Sequence, residues 1–157
     1  MAVAMTAATI SVANADEIWT DEFGESVAYD RDVGTTAILR GPHNQWYYID
    51  RLAGNYASRT GTFHGYWAVM PGDADEEMIG CASTLTLTDG RSTTFWGPIE
   101  VDFDSAAFPT GFMMRQGFCP DQQGEYAGEQ VGTFNNWRYT PVTADSPSQP
   151  PAPASPK

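Results

Sequence analysis

The side chains of this chain that could do chemistry are carboxylates and aromatic rings, both set out at strand spacing. Glu100, Asp102 and Asp104 alternate with Ile99, Val101 and Phe103. In an extended strand this puts three carboxylates on one face at steps of about 6–7 Å and the apolar side chains on the other. Such a row suits an acid–base pair or a calcium site, and glycoside hydrolysis would need two of its members to flank a cleft, one with a raised pKa. A row of like charges on an open strand face is otherwise simply solvated. The run Asp73-Ala74-Asp75-Glu76-Glu77 has the composition of a calcium loop without the D-x-[DN]-x-[DN]-G spacing. No metal site and no cofactor is expected. There are two histidines, His43 in a Gly-Pro turn and His64 in a strand, and no G-x-S-x-G elbow. Nothing local builds a Ser-His-Asp triad, so no catalytic residue is assigned and the reading leans away from an enzyme. Lys157 is the only lysine, which argues against Schiff-base chemistry and a lysine-based phosphate loop.

The rings are more informative. Trp46-Tyr47-Tyr48 places large aromatics on both faces of one strand, and Phe63, Tyr66 and Trp67 do so on another. One face of each must be core. The surplus rings on the other face are what a small apolar or carbohydrate-like ligand would meet in a cavity or groove. The expected ligand-binding set is Trp46, Tyr48, His64, Tyr66, Trp67 and Trp96; the competing reading is an aromatic-lined core. Cys81 and Cys119 are the only cysteines, and in an exported chain an even pair is expected to be a disulfide.

The elements that position these residues read as short strands. Cys81–Thr88 alternates apolar and polar residues, Asp89-Gly90 supplies a tight hairpin turn with two positive-φ positions, Arg91–Trp96 returns, Gly97-Pro98 breaks the run, and 99–104 is a third strand. Further strands are expected at Ser26–Tyr29, Thr35–Arg40, Gln45–Ile49, Thr62–Val69, Phe112–Cys119 and from Gln130 to Tyr139, with turn chemistry between them. Gly65, inside the strand expected at Thr62–Val69, signals a bulge or a close backbone approach. Trp19 and Phe23 could start the first strand or plug the end of a barrel. Arg51–Arg59 reads as a loop. The shared tripeptide Gly61-Thr62-Phe63 and Gly132-Thr133-Phe134 is too short to establish a repeat.

About eight short strands with glycine, proline and aspartate turns, and no amphipathic helix, predict an all-β antiparallel barrel or sandwich. In size, glycine-aromatic strands and meander order the chain resembles small exported barrels of the lipocalin and avidin kind. The lipocalin Gly-x-Trp of the first strand is absent, and the resemblance carries no functional residue across.

Residues 1–15, apolar and small and ending Ala13-Asn14-Ala15, resemble a secretory leader that lacks its basic start. Residues 16–140 are expected to form the β-domain, and 141–157, rich in Pro, Ala and Ser, a disordered tail. The expected location is secreted or periplasmic, with no membrane span. Twenty Asp and Glu against eight Lys and Arg give a net charge of −12, which repels nucleic acid and suits solubility or a cationic partner. Three functions follow in order. The first is an exported, non-enzymatic binding domain with a small ligand in an aromatic-lined site. The second is an acidic interaction or inhibitor protein docking on a basic secreted partner. The third is a barrel-type isomerase or carboxylate-dependent hydrolase.

Overall fold

A computed structural model describes residues 17–54, 57–76, 78–120, 125–126, 129–130 and 135–143. The expected leader, most of the expected tail and Gly132-Thr133-Phe134 lie outside these residues. The strands are β1 (Ile18–Thr20), β2 (Ser26–Val33), β3 (Thr36–Arg40), β4 (Trp46–Ile49), β5 (Thr62–Val69), β6 (Leu85–Thr86), β7 (Ser92–Thr93), β8 (Phe95–Phe103), β9 (Phe112–Gln116), β10 (Glu125–Tyr126), β11 (Glu129–Gln130) and β12 (Asn135–Pro141). Eight of them close an antiparallel barrel in the order β1-β12-β9-β8-β5-β4-β3-β2, while β6-β7 and β10-β11 form separate two-stranded ribbons. The barrel is one of the two expected architectures, and the sandwich is excluded. β12 runs to Pro141, and the Val142 amide donates to Ile18 O (2.7 Å), so the last strand seals the sheet against β1.

Period-two alternation decides what faces inward. Trp19, Val27, Tyr29, Ala37, Leu39, Tyr47, Ile49, Trp67, Val69, Ile99, Val101, Phe112, Met114 and Tyr139 fill the barrel as one buried cluster. An eight-stranded barrel is just wide enough for side chains to fill it, and this one is filled with rings. Phe112 stacks on Tyr139 (centroids 4.9 Å apart) and meets Trp19 edge-on (5.3 Å). Two glycines make room. A Cβ at Gly65 would overlap the Tyr48 carbonyl, which is the close backbone approach expected there. A Cβ at Gly97 would overlap the Gly117 carbonyl and lie 2.5 Å from Trp67 Nε1. Trp67 donates to that same carbonyl (2.7 Å).

The end of the barrel at the start of β1 is plugged. Arg59, 1% exposed, reaches in from the β4–β5 loop; its guanidinium lies 5.9 Å from the Trp19 ring and 5.2 Å from Phe103, and donates to Glu17 (2.6 Å). Trp19 Nε1 donates to Thr110 O (2.7 Å) from the β8–β9 loop. Trp19 thus lies within the first strand and helps plug the barrel, whereas Phe23 does neither and stands exposed in the β1–β2 turn. Burial raises the Glu17 carboxyl above its usual range, and the nearby Arg59 only partly offsets it.

Two local expectations are corrected. Gly97-Pro98 does not break a strand: β8 runs unbroken from Phe95 to Phe103, with Tyr66 opposite Pro98 in β5. The Pro98 carbonyl accepts from Gly117 N, on the β9 side. The nitrogen without a hydrogen therefore faces the same side, beyond the last regular pair, Ile99 with Gln116, and no β5–β8 bond is lost. The Asp89-Gly90 hairpin exists, but Leu87 N bonds Arg91 O across a three-residue loop in which Gly90 alone has positive φ (85°). Its strands shrink to Leu85–Thr86 and Ser92–Thr93. The ribbon lies outside the barrel, where Leu85 and Leu87 cover Ile38, Tyr48 and Ala68. Beside it the disulfide Cys81–Cys119 is formed (Cα–Cα 5.1 Å), as expected, and packs with Trp96.

Candidate functional site

Among the described residues the opposite end of the barrel is open. The β1–β2 turn, the β3–β4 turn, the end of β9 and the start of β12 surround a cavity of about 230 Å³. Four rings line it: Tyr47 from β4, Tyr139 and Trp137 from β12, and Phe118 just beyond β9. Gln45, Gln116, Glu25 and His43 add polar groups. Tyr47 and Tyr139 point inward because each alternates with strand neighbours on the outer face, and barrel closure brings β4 and β12 within reach of one another. Behind Phe118 stands the buried Trp67, with ring centroids 4.9 Å apart.

The hydrogen bonds of the mouth form a connected set. The Tyr47 hydroxyl donates to Gln45 Oε1 (2.9 Å), and Gln116 Nε2 donates to the same oxygen (3.3 Å). The Tyr47 and Tyr139 phenols lie close enough to influence each other's ionisation. Glu25 Oε1 lies 2.9 Å from His43 Nε2. Asp21 caps the β1–β2 turn, accepting from the amides of Phe23 (2.9 Å) and Glu25 (2.8 Å). Burial, followed among other causes by the negative charges of Asp21 and Glu25, pushes the Tyr139 phenol up to about 12 and the Tyr47 phenol well above its usual range. Both therefore stay neutral hydrogen-bonding groups. The β3–β4 turn carries strain at this rim: His43 (φ 51°) and Asn44 (φ 59°) both lie in the left-handed region without being glycine. Both φ values match a type I′ hairpin turn, in which Asn44 is tolerated and His43 bears more of the cost of the left-handed conformation than glycine would.

The six residues expected to bind ligand do not converge on one site. Trp67 alone is inside the barrel, forming the layer beneath the mouth. Trp46 lies on the outer face, with the Arg31 and Arg91 guanidiniums 5.7 and 5.1 Å from its ring. Tyr48 is buried beneath the β6-β7 ribbon, donating to Asp89 (3.0 Å) and accepting from Arg91 (2.6 Å). Burial with the Asp89 contact lifts its phenol to about 12. Burial would raise Asp89, but its bonds from Arg91 and Tyr48 hold it below the usual range. Trp96 donates to Ser83 O (3.2 Å), and Tyr66, 39% exposed, meets it edge-on at 5.6 Å. Tyr48 and Tyr66 do share an outer hollow of about 200 Å³ with Asp50 and Thr86–Thr88. His64 is exposed, 3.8 Å from Glu100.

The carboxylate row lies on the outer face as expected, and each member is engaged by a neighbour: Glu100 by Arg115, Asp102 by the Thr62 hydroxyl (2.6 Å) and Asp104 by Arg138. They form no pair across a cleft. Among the described residues no group of three or more His, Cys, Asp or Glu is arranged to hold a metal ion, and no helix is long and apolar enough to cross a membrane.

Fold and site together define an eight-stranded antiparallel barrel with a ring-filled interior, one plugged end and one aromatic-lined mouth. No protein-family model, curated protein or solved structure matches the chain.

Proposed function

We propose that this chain is an exported, non-enzymatic binding domain that takes a small ligand in the mouth of the barrel. The observation that carries the reading is the convergence of Tyr47, Phe118, Trp137 and Tyr139 with Gln45 and Gln116 around one cavity. Rings supply apolar faces, and the amides and neutral phenols fix an edge, the division of labour usual in ligand sites. At about 230 Å³ the cavity falls below the roughly 300–1,000 Å³ of sites for drug-sized molecules. The occupant is thus of single-ring size: a monosaccharide-like ring or a small aromatic. The disulfide fits an oxidising compartment. Isothermal calorimetry with methyl glucoside and benzyl alcohol tests the reading. Saturable binding that Trp137→Ala weakens supports it, and binding lost only in Tyr66→Ala moves the site to the outer hollow.

The acidic-interface reading keeps one specific support: Asp73, Asp75 and Glu76 are exposed on the loop after β5, and the barrel interior is largely filled. Docking of a basic protein there would weaken steeply as salt rises, because exposed charges are screened beyond about 8 Å at physiological ionic strength. Uptake of a neutral ring would respond little.

A further inference from the structure

We infer that the mouth selects a small organic cation, a protonated or quaternary amine carried on a body of no more than one ring; this rests on the mouth being the ligand site. Among the described residues the lining combines four aromatic rings with one carboxylate and no arginine or lysine. Aromatic faces attract a cation placed over them and give a neutral group no such electrostatic gain. Phe118 and Trp137 are half-buried and offer the accessible, partly desolvated ring faces, while Tyr47 and Tyr139, 1% and 2% exposed, form the floor beneath them.

The charges around the cavity have one sign. Glu25 lines it, and Asp21 lies one turn away at the base of the same β1–β2 connection. Asp21 Oδ1 is spent on two backbone amides, while its Oδ2 is shielded from solvent and accepts no hydrogen bond among the described residues. The field of both carboxylates reaches the phenols on the cavity floor, where it adds to their raised pKa values. Of the cationic side chains on neighbouring elements, Arg115 is paired with Glu100 and Arg138 with Asp104, both on the outer face, and Arg40 at the end of β3 is exposed outside the lining. His43 is the one basic group in the lining, and it sits on Glu25 at the rim, 67% exposed. An amine entering from solvent would meet the Glu25 carboxylate first and the rings behind it. An anion would meet the same carboxylate and ring faces, with neutral amide and phenol donors and the Glu25-paired His43 as its partners among the described residues.

Two matched pairs of probes separate charge from shape: benzylamine against benzyl alcohol, and glucosamine against methyl glucoside, titrated into the full chain by calorimetry at low and at physiological salt. The expected result is that each amine binds at least about fivefold tighter than its neutral partner, and that Glu25→Gln removes most of the difference between the members of each pair. Glu25→Gln keeps the side-chain length and leaves the Asp21 turn cap in place, and circular dichroism checks that the variant folds. Trp137→Phe, which retains a ring, should keep the amine preference, whereas Trp137→Leu should reduce it. Equal affinities within each pair, unchanged by Glu25→Gln, would overturn the cation inference while leaving the mouth a ligand site. Failure of all four probes to bind would overturn both.

Discussion

Raising the pH should unfold this domain through its buried phenols, and the size of the effect can be worked from the structure. Tyr48 and Tyr139 are each pushed from 10.0 to about 12, and Tyr47 is raised in the same direction. In the unfolded chain these phenols ionise near 10. The folded state prefers the neutral form, so the stability linked to each is fully present below pH 10 and is lost as pH rises through about 12. Each of the two quantified shifts corresponds to nearly 3 kcal/mol when complete. Together they reach roughly 5 kcal/mol, against total stabilities of about 5–15 kcal/mol for domains of this kind. Tyrosinate absorbance and circular dichroism followed together from pH 9 to 13 read it out. Tyr47, Tyr48 and Tyr139 should ionise late, with the loss of native structure. Tyr139→Phe should remove one late phenol and flatten the fall in stability between pH 10 and 12. If all seven ionise in a single step near pH 10 while the far-ultraviolet spectrum stays native, the packing described for the mouth and the ribbon is wrong.

Other outcomes follow from single contacts. Gly97→Ala drives a Cβ into the Gly117 carbonyl and the Trp67 indole; overpacking plus a damaged buried hydrogen bond should cost about 2–5 kcal/mol in urea unfolding, and an unchanged midpoint would refute the close approach. His43→Gly relieves a left-handed non-glycine residue and should stabilise by roughly 0.5–1 kcal/mol; a loss of stability would show that the Glu25 contact outweighs the strain. The Cys81–Cys119 bridge spans 38 residues and should contribute about 4 kcal/mol on the chain-entropy model. Denatured, non-reduced protein should show no free thiol, and two titratable thiols would contradict the bridge.

The alternation of Ile99 and Val101 with Glu100 and Asp102 was legible because a strand's side-chain period is a local property, and the barrel bears it out residue by residue. Pro98 was misleading, since whether a missing N–H matters depends on which neighbour it faces, and that is fixed by sheet order. The aromatic strands show the same boundary. Tyr47 shares its face with Ile49, and Trp67 with Val69, which marks the core side. Trp46, Tyr48 and Tyr66 were thereby identifiable as outward. That outer face nonetheless buries Tyr48, because the β6-β7 ribbon folds back over it. The mouth itself is a product of closure: Tyr47 and Tyr139 stand 92 positions apart in the chain and meet only when β12 joins β1. The turn at Gly41-Pro42-His43-Asn44 was readable as a turn, but its left-handed geometry at two non-glycine positions was not.

The claim that the mouth is where this domain binds is tested most directly by comparing two aromatic truncations in one calorimetric titration with benzyl alcohol and methyl glucoside. Trp137 lines the mouth and is half-buried, while Tyr66 lies on the outer face, touching Trp96 and the outer hollow. Trp137→Ala should weaken binding by roughly 1–3 kcal/mol, as the loss of an anchoring ring does, and Tyr66→Ala should leave it within about 0.5 kcal/mol of the unmodified chain. A folded Trp137→Ala variant that binds as well as the unmodified chain, or a loss confined to Tyr66→Ala, would contradict it.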